Sequence, residues 1–281
     1  MTTWQIYMEA KDAARHTVVG AVRVAHAVHS PQLNNKRDIL VYLPPSYHTN
    51  HQAYPVLYMH DGQNLFDQAT SYSGEWRVDE TMETLAAEQR EAIVVGIPNM
   101  GEHRIAEYSP FETRWGKGKG DAYLAFLVDT LKPLVDQSFR TLPDRAHTGI
   151  AGSSMGGLIS MYGYFRHPGV FGLAGVMSPA FWIAGGKLEQ FVMQHPHMPG
   201  KLYLDIGEQE LATRRKGASQ QYANSVQRLY LDLVEKGYRP EDEIHYTQDP
   251  DGTHNEAAWA RRLPEMLRFL LSPYGERLGS R

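Results

Sequence analysis

The sequence predicts an α/β fold: a mostly parallel central sheet with helices on both faces and an antiparallel N-terminal edge. Three observations predict it. From residue 56 onward, short apolar runs alternate with longer segments of helical period. Before that point, strand-like runs follow one another with no helix between them. No linker, internal repeat or low-complexity tract divides the 281 residues, so one domain spanning 1–281 is expected.

The elements follow in order. Thr17–Val28 alternates and is rich in valine, which reads as a first strand. Asp38–Leu43 is a second, stopped by Pro44-Pro45. Val56–His60 is a short apolar run ending at the turn signal Asp61-Gly62. Asp79–Arg90 has helical character, and Ala92–Ile97 reads as a strand buried on both faces before Pro98-Asn99. Asp121–Gln137 carries apolar residues at 123, 124, 127, 128, 131, 134 and 135, the period of an amphipathic helix. A strand at Thr148–Ala151 leads into a helix at Ser154–Phe165. Leu173–Met177, Lys201–Ile206 and Glu243–Gln248 are further strands, and Ala218–Lys236 and Asn255–Leu271 are long helices. Gly116-Lys-Gly-Lys-Gly120 lacks the spacing of a phosphate-binding loop and reads as a mobile surface loop.

Composition narrows the function. Hydrophobic residues make up 42% and charged residues 21%, an ordinary globular balance. Twenty-eight basic against 32 acidic residues give a net charge of −4. The longest basic run is Arg214-Arg215-Lys216, so neither a nucleic acid nor an anionic membrane is an expected partner. With no cysteine, disulfides, thiolate catalysis, iron–sulfur clusters and cysteine-type zinc sites are excluded. Met1–Lys11 has neither the basic start nor the apolar core of a signal peptide. The uncharged stretch Phe171–Gly186 is broken by glycines and Pro179 and does not read as a spanning helix. A soluble, cytoplasmic protein is expected.

The sharpest motif is Gly152-Ser153-Ser154-Met155-Gly156, a G-x-S-x-G between a strand and a helix. That context defines a nucleophile elbow, a tight turn that pushes the Ser154 hydroxyl into the open. The glycines are needed because a Cβ there would meet the neighbouring strand or helix. A serine hydroxyl is a poor nucleophile without a base. Five histidines follow Ser154: His167, His195, His197, His245 and His254. His254, in Asp251-Gly-Thr-His-Asn255, falls after a strand and before the last helix, where a base would overhang the carboxyl edge of the sheet. The acid should follow the 201–206 strand, where Asp205, Glu208 and Glu210 are the candidates. Glu210 is favoured because the loop must carry the carboxylate past the sheet edge. The N–H groups of Met155, after the nucleophile, and of Gln63, after the 56–60 strand, are the expected oxyanion donors. Phe66, Tyr108, Trp115, Phe181 and Trp182 are candidates for an acyl or aryl pocket, against the alternative that they are core. Arg104 and Arg114 are either contacts for an anionic substrate or solvated charges. No metal and no organic cofactor is implied.

His60-Asp-Gly-Gln-Asn-Leu-Phe66, Arg104-Ile-Ala-Glu-Tyr-Ser-Pro110, Gly152-Ser-Ser-Met-Gly-Gly157, Ser178-Pro-Ala-Phe-Trp182 and Gly252-Thr-His254 together resemble the putative-esterase (esterase D-like) family of α/β-hydrolases. The family includes siderophore (enterochelin-type), feruloyl and acetyl-xylan esterases, S-formylglutathione hydrolases and mycolyltransferases. The resemblance spans roughly residues 17 to 271. It implies an α/β-hydrolase fold, a small-molecule ester substrate and a triad mapping to Ser154, His254 and Glu210. It also implies that the Gln63 N–H lends the second oxyanion contact. Feruloyl esterases place Asp where Glu210 stands. The reactive cysteine usual in S-formylglutathione hydrolases has no counterpart here. The expected function is a serine carboxylic-ester hydrolase acting through an acyl-enzyme on small or medium esters. The alternatives are an acyltransferase or a non-catalytic binding module on the same fold.

Overall fold

The computed structural model describes residues 2–7, 16–211 and 217–273. Met1, Met8–Lys11 and the basic run Arg214–Lys216 lie outside the described residues. Among the described residues, nine strands form one sheet: β1 (Gln5–Ile6), β2 (Ala21–Ser30), β3 (Asn35–Leu43), β4 (Val56–His60), β5 (Ile93–Ile97), β6 (Thr148–Ser153), β7 (Leu173–Met177), β8 (Lys201–Gly207) and β9 (Ile244–Asp249). The spatial order is β1-β2-β3-β5-β4-β6-β7-β8-β9. Pairing is antiparallel from β1 to β5 and parallel from β5 through β9. This is the α/β-hydrolase arrangement, with its antiparallel N-terminal edge.

The helices are α1 (Val78–Ala86), α2 (Arg104–Glu107), α3 (Gly120–Ala125), α4 (Lys132–Ser138), α5 (Met155–Arg166), α6 (Lys187–Gln194), α7 (Ala218–Glu235) and α8 (Glu256–Leu270). A π-helical stretch, 126–131, joins α3 to α4, so the single helix expected at 121–137 is continuous but locally widened. The central strands bury both faces, and alternate residues serve different cores. Val56 and Tyr58 join the core under α3, α5 and α7, whereas Leu57 and Met59 join the core under α1 and α8. That two-residue alternation is the pleat itself.

The edge hairpin departs from expectation. β2 starts at Ala21, later than residue 17, and β3 starts at Asn35, earlier than residue 38. The ladder reaches Ser30↔Asn35 because edge pairing uses backbone groups and tolerates the polar side chains of Asn35-Lys-Arg37. A bulge between Ala25 and Val28, with Ala27 at φ 52°, interrupts it.

Register fixes where chemistry is possible. Ser153 at the end of β6 lies beside Met177 of β7, Met177 beside Asp205 of β8, and Gly207 beside Asp249 of β9. The loops after β4, β6, β8 and β9 therefore emerge together at the carboxyl edge of the sheet.

Candidate active site

Ser154 sits between β6 and α5 at φ 56°, ψ −118°, left-handed territory that a serine adopts only under constraint. The constraint is visible. Its N–H donates to Met177 O at 3.0 Å, and its carbonyl accepts from Leu158 N–H at 3.1 Å and Ala180 N–H at 2.9 Å. A Cβ on Gly152 would lie 2.9 Å from the His60 ring and 3.1 Å from Gly156, so both glycines of the elbow admit His60 of the adjacent strand. His60 is fully enclosed, with Nδ1 on the Tyr123 hydroxyl at 2.8 Å. Burial holds its pKa down at about 3, a neutral spacer under the elbow.

The Ser154 hydroxyl faces one histidine. His254 Nε2 is 2.9 Å from Ser154 Oγ, and His254 Nδ1 is 2.5 Å from Glu210 Oε2. His254 is set by its neighbour Asn255, whose side chain caps α8 by accepting Ala258 N–H at 3.0 Å. The acid loop and the histidine loop are tied to one another. Glu208 N–H donates to Asp249 O at 2.9 Å and Gln209 N–H to Gly252 O at 2.8 Å. Gly207 and Gly252 approach so closely that a Cβ on Gly207 would sit 2.2 Å from Gly252 O.

The three candidate carboxylates separate cleanly. Glu210 turns inward, its side chain fully buried, with Oε1 accepting Gly207 N–H at 2.7 Å and the Ser178 hydroxyl at 2.5 Å. Glu208 points to the exterior and accepts from Gln248 Nε2. Asp205 is buried inside β8, accepts Ser178 N–H at 2.9 Å and pairs with Arg262 at 3.1 Å, away from His254. Burial pushes Asp205 up to about 7 although Arg262 opposes it.

On the other side, Asp61 at φ 57° opens a short 3-10 turn, Gly62–Asn64. Asn64 N–H bonds back to Asp61 O and Leu65 N–H to Gly62 O. Neither bond uses the Gln63 N–H, which lies in the first turn. Gln63 is held at both ends, its Oε1 accepting Asn99 N–H at 3.1 Å and its carbonyl accepting the Thr70 hydroxyl at 2.9 Å. The Met155 N–H likewise precedes the first bond of α5, which Leu158 makes. Arg104 grips Asp61 with Nε–Oδ1 at 2.7 Å and Nη2–Oδ2 at 2.8 Å, so its charge is committed to that carboxylate while part of the side chain lines the cleft. Asn99 adds a third donor to Asp61 at 2.7 Å. The remaining Arg104-Ile-Ala-Glu-Tyr-Ser-Pro110 residues build the same support. Tyr108 OH accepts Asp61 N–H at 3.1 Å, and Glu107 takes the buried Arg37 at 2.9 Å through each oxygen.

A cleft of about 970 Å³ opens over Ser154 and His254, lined also by Asn64, Tyr72, Trp76, Asn99, Glu256 and Trp259. The aromatic lining differs from the one expected. Phe66, Tyr108 and Phe181 are at most 1% exposed and belong to the cores, because packing around the elbow consumes them. Trp182 is 48% exposed but does not line the cleft. Trp115, also exposed, lies under Arg114 at 4.1 Å. The aromatic residues that do line it, Tyr72, Trp76 and Trp259, went unremarked in the sequence. The available signal was position: Tyr72 and Trp76 follow the His60–Phe66 motif, and Trp259 stands one helical turn beyond His254. Ser178 heads a motif of the family resemblance but carries no site role in the sequence, and Arg262 behind Glu210 carries no signal there at all.

Residues 30–270 match the family described as "Putative esterase". The chain belongs to that esterase family. It is therefore a carboxylic-ester hydrolase of the serine-esterase class. The esterase is 25% identical over 244 residues to "Uncharacterized protein YbbA" of Bacillus subtilis, covering 83% of this chain and 92% of the relative. It is also 25% identical over 174 residues to the endo-1,4-beta-xylanase/feruloyl esterase of Xylanibacter ruminicola, covering 60% of this chain and 22% of that longer protein. Among solved structures it resembles the IroE-like serine hydrolase of Shewanella oneidensis, with TM-score 0.71, 20% identity and coverage of 89% and 80%. A ferulic acid esterase superposes with TM-score 0.65 at 21% identity, covering 89% of this chain and 97% of the other. These likenesses establish the shared fold. Among the described residues, no helix of the esterase is long and apolar enough to cross a membrane.

Proposed function

We propose that this esterase cleaves small or medium carboxylic esters through an acyl-enzyme on Ser154, with His254 as base and Glu210 as the triad acid. The observation that carries the reading is the unbroken chain Ser154 Oγ–His254 Nε2 at 2.9 Å and His254 Nδ1–Glu210 Oε2 at 2.5 Å. Glu210 fixes the tautomer in which Nδ1 bears the proton and Nε2 presents its lone pair to the serine. His254 takes the Ser154 proton as Oγ bonds to the ester carbonyl carbon. The carbonyl electron pair moves to oxygen, and the Met155 and Gln63 N–H groups hold that oxyanion. The pair returns, the C–O bond to the alcohol breaks, and His254 hands its proton to the leaving alkoxide. Water, deprotonated by His254, then releases the acid and regenerates Ser154.

The cleft volume suits a ligand of this size, and Tyr72, Trp76 and Trp259 offer apolar surface beside polar groups. Ser154→Ala tests the assignment on a panel of p-nitrophenyl, feruloyl, acetylated-sugar and siderophore esters. The variant is expected to lose about three or more orders of magnitude in kcat/KM with an unchanged fold. Retention of half the turnover would remove Ser154 from the reaction.

A further inference from the structure

Ser178 stands at a junction that ester cleavage by Ser154, His254 and Glu210 does not by itself require. It follows β7 at φ 39°, in the left-handed region. It is fully buried. Each of its polar atoms is engaged. Its N–H meets Asp205 at the backbone oxygen, 3.1 Å, and at Oδ1, 2.9 Å. Its carbonyl accepts the Tyr222 hydroxyl at 2.6 Å. Its Oγ lies 3.0 Å from Trp259 Nε1, 2.7 Å from Arg262 Nη2 and 2.5 Å from Glu210 Oε1.

The proton inventory of those three contacts has one solution. Indole and guanidinium nitrogens donate and never accept. They occupy both lone pairs of the Ser178 oxygen. The single hydroxyl proton is left for Glu210 Oε1. Glu210 Oε1 also receives Gly207 N–H at 2.7 Å, so this oxygen already holds two donors. Oε2 is then the oxygen left to receive the Nδ1 proton of His254, across 2.5 Å. A carboxylate taking hydrogen bonds on both oxygens is fixed in rotation.

We propose that Ser178 is a positioning residue: a buried hydroxyl, polarised by Trp259 and Arg262, that fixes the rotation of the Glu210 carboxylate and aims it at His254. Arg262 reaches Glu210 Oε1 itself only at 3.8 Å, too far for a hydrogen bond. The serine oxygen relays its charge over that gap and lets one buried guanidinium serve Glu210 through a neutral group while pairing with Asp205 at 3.1 Å. Trp259 couples the device to the cleft, since it lines the substrate space and lies 5.1 Å, edge-on, from the His254 ring.

The inference rests on the triad assignment, and its test separates the two. The readouts are kcat and KM on one p-nitrophenyl ester and the far-downfield proton resonance of the His254–Glu210 hydrogen bond, assigned by its loss in Glu210→Gln. Ser178→Ala is expected to lower kcat by about 10- to 100-fold with KM within about twofold, short of the roughly 10⁴ expected for loss of the acid. It should also move or broaden the downfield resonance. Ser178→Gly, which the φ of 39° tolerates, carries the same expectation if the alanine variant does not fold. Tyr222→Phe removes the contact to the Ser178 carbonyl and leaves its hydroxyl untouched, so the resonance should stay in place. Ser178 variants with unchanged kcat and resonance overturn the positioning role, as does a Tyr222→Phe shift as large as that of Ser178→Ala. If Glu210→Gln itself is active, the triad assignment has failed instead.

Discussion

Asp61 and Asp205 are two buried aspartates, each beside one arginine, on opposite sides of Ser154 in the sheet order, and they titrate in opposite directions. Burial raises both. At Asp61 it is outweighed by the charge and two-pronged grip of Arg104 together with Asn99, and the carboxyl ends below its usual range. At Asp205 burial wins and the carboxyl rises to about 7. Arg262 there is shared: it also approaches Glu210 and Asp249, each at 3.8 Å, and its hydrogen bond goes to Ser178. An arginine nearby does not settle ionisation in a dry site; the number of aligned donors on the carboxylate does. The turn that carries Gln63 is thus built on a dedicated ion pair. The region around Glu210 is built on one cation divided among several groups, with Glu210 Oε1 supplied by neutral donors.

The largest expected effect is at Glu210, the proposed triad acid. Glu210→Gln should cost roughly 10⁴ in kcat/KM, because the amide can present the wrong group to Nδ1. Glu208→Gln should stay within about threefold, as expected of an exposed loop residue. A severe loss confined to Glu208→Gln would reverse the assignment. Next comes the turn that carries Gln63, the proposed oxyanion donor. Arg104→Ala frees a buried carboxylate beside the turn that carries Gln63, and kcat is expected to fall about 10²-fold, the scale of losing one oxyanion donor. Arg104→Lys keeps charge without the fork and should cost about tenfold. Equal rates for arginine and lysine would mean that charge alone supports the turn.

The smallest effect is on stability, and its signs oppose. Asp61 has a folded pKa below the unfolded value of about 3.9, so its stabilisation is present above that pH and lost as pH falls through the folded pKa. Wild type should therefore lose melting temperature relative to Asp61→Asn on acidification below about pH 4. Asp205 has a raised pKa, so the folded chain keeps a proton that the unfolded chain releases, and stability drains away as pH climbs from about 4 through about 7. Asp205→Asn should gain on wild type over that window. Parallel trends in the two variants would erase the contrast.

Much of this was legible from local patterns. The elbow is a five-residue motif whose glycines and serine obey short-range sterics, and the strands flanking it are contiguous apolar runs. Chain order and strand ends located His254 and favoured Glu210 among three carboxylates. Inward or outward direction was not legible. Phe66, Tyr108 and Phe181 are as apolar on paper as Trp76 and Trp259, and only the packing of two cores distributes them. Arg104–Asp61 joins residues 43 apart and Arg262–Ser178 joins residues 84 apart. Such pairings are products of topology, and no periodicity announces them. The polar start of β3 was lost for a related reason: ladder bonds belong to the backbone and leave little trace in side-chain pattern.

A covalent acyl group on Ser154 should be trapped by a p-nitrophenyl carbamate, because carbamoyl-enzymes deacylate slowly. One equivalent of p-nitrophenol should be released per chain, with loss of activity. The carbamoyl mass should appear on the peptide containing Ser154, and His254→Ala should abolish the reaction. A carbamoyl group on any other residue, or none at all from an enzyme that turns over p-nitrophenyl acetate, would contradict acylation at Ser154.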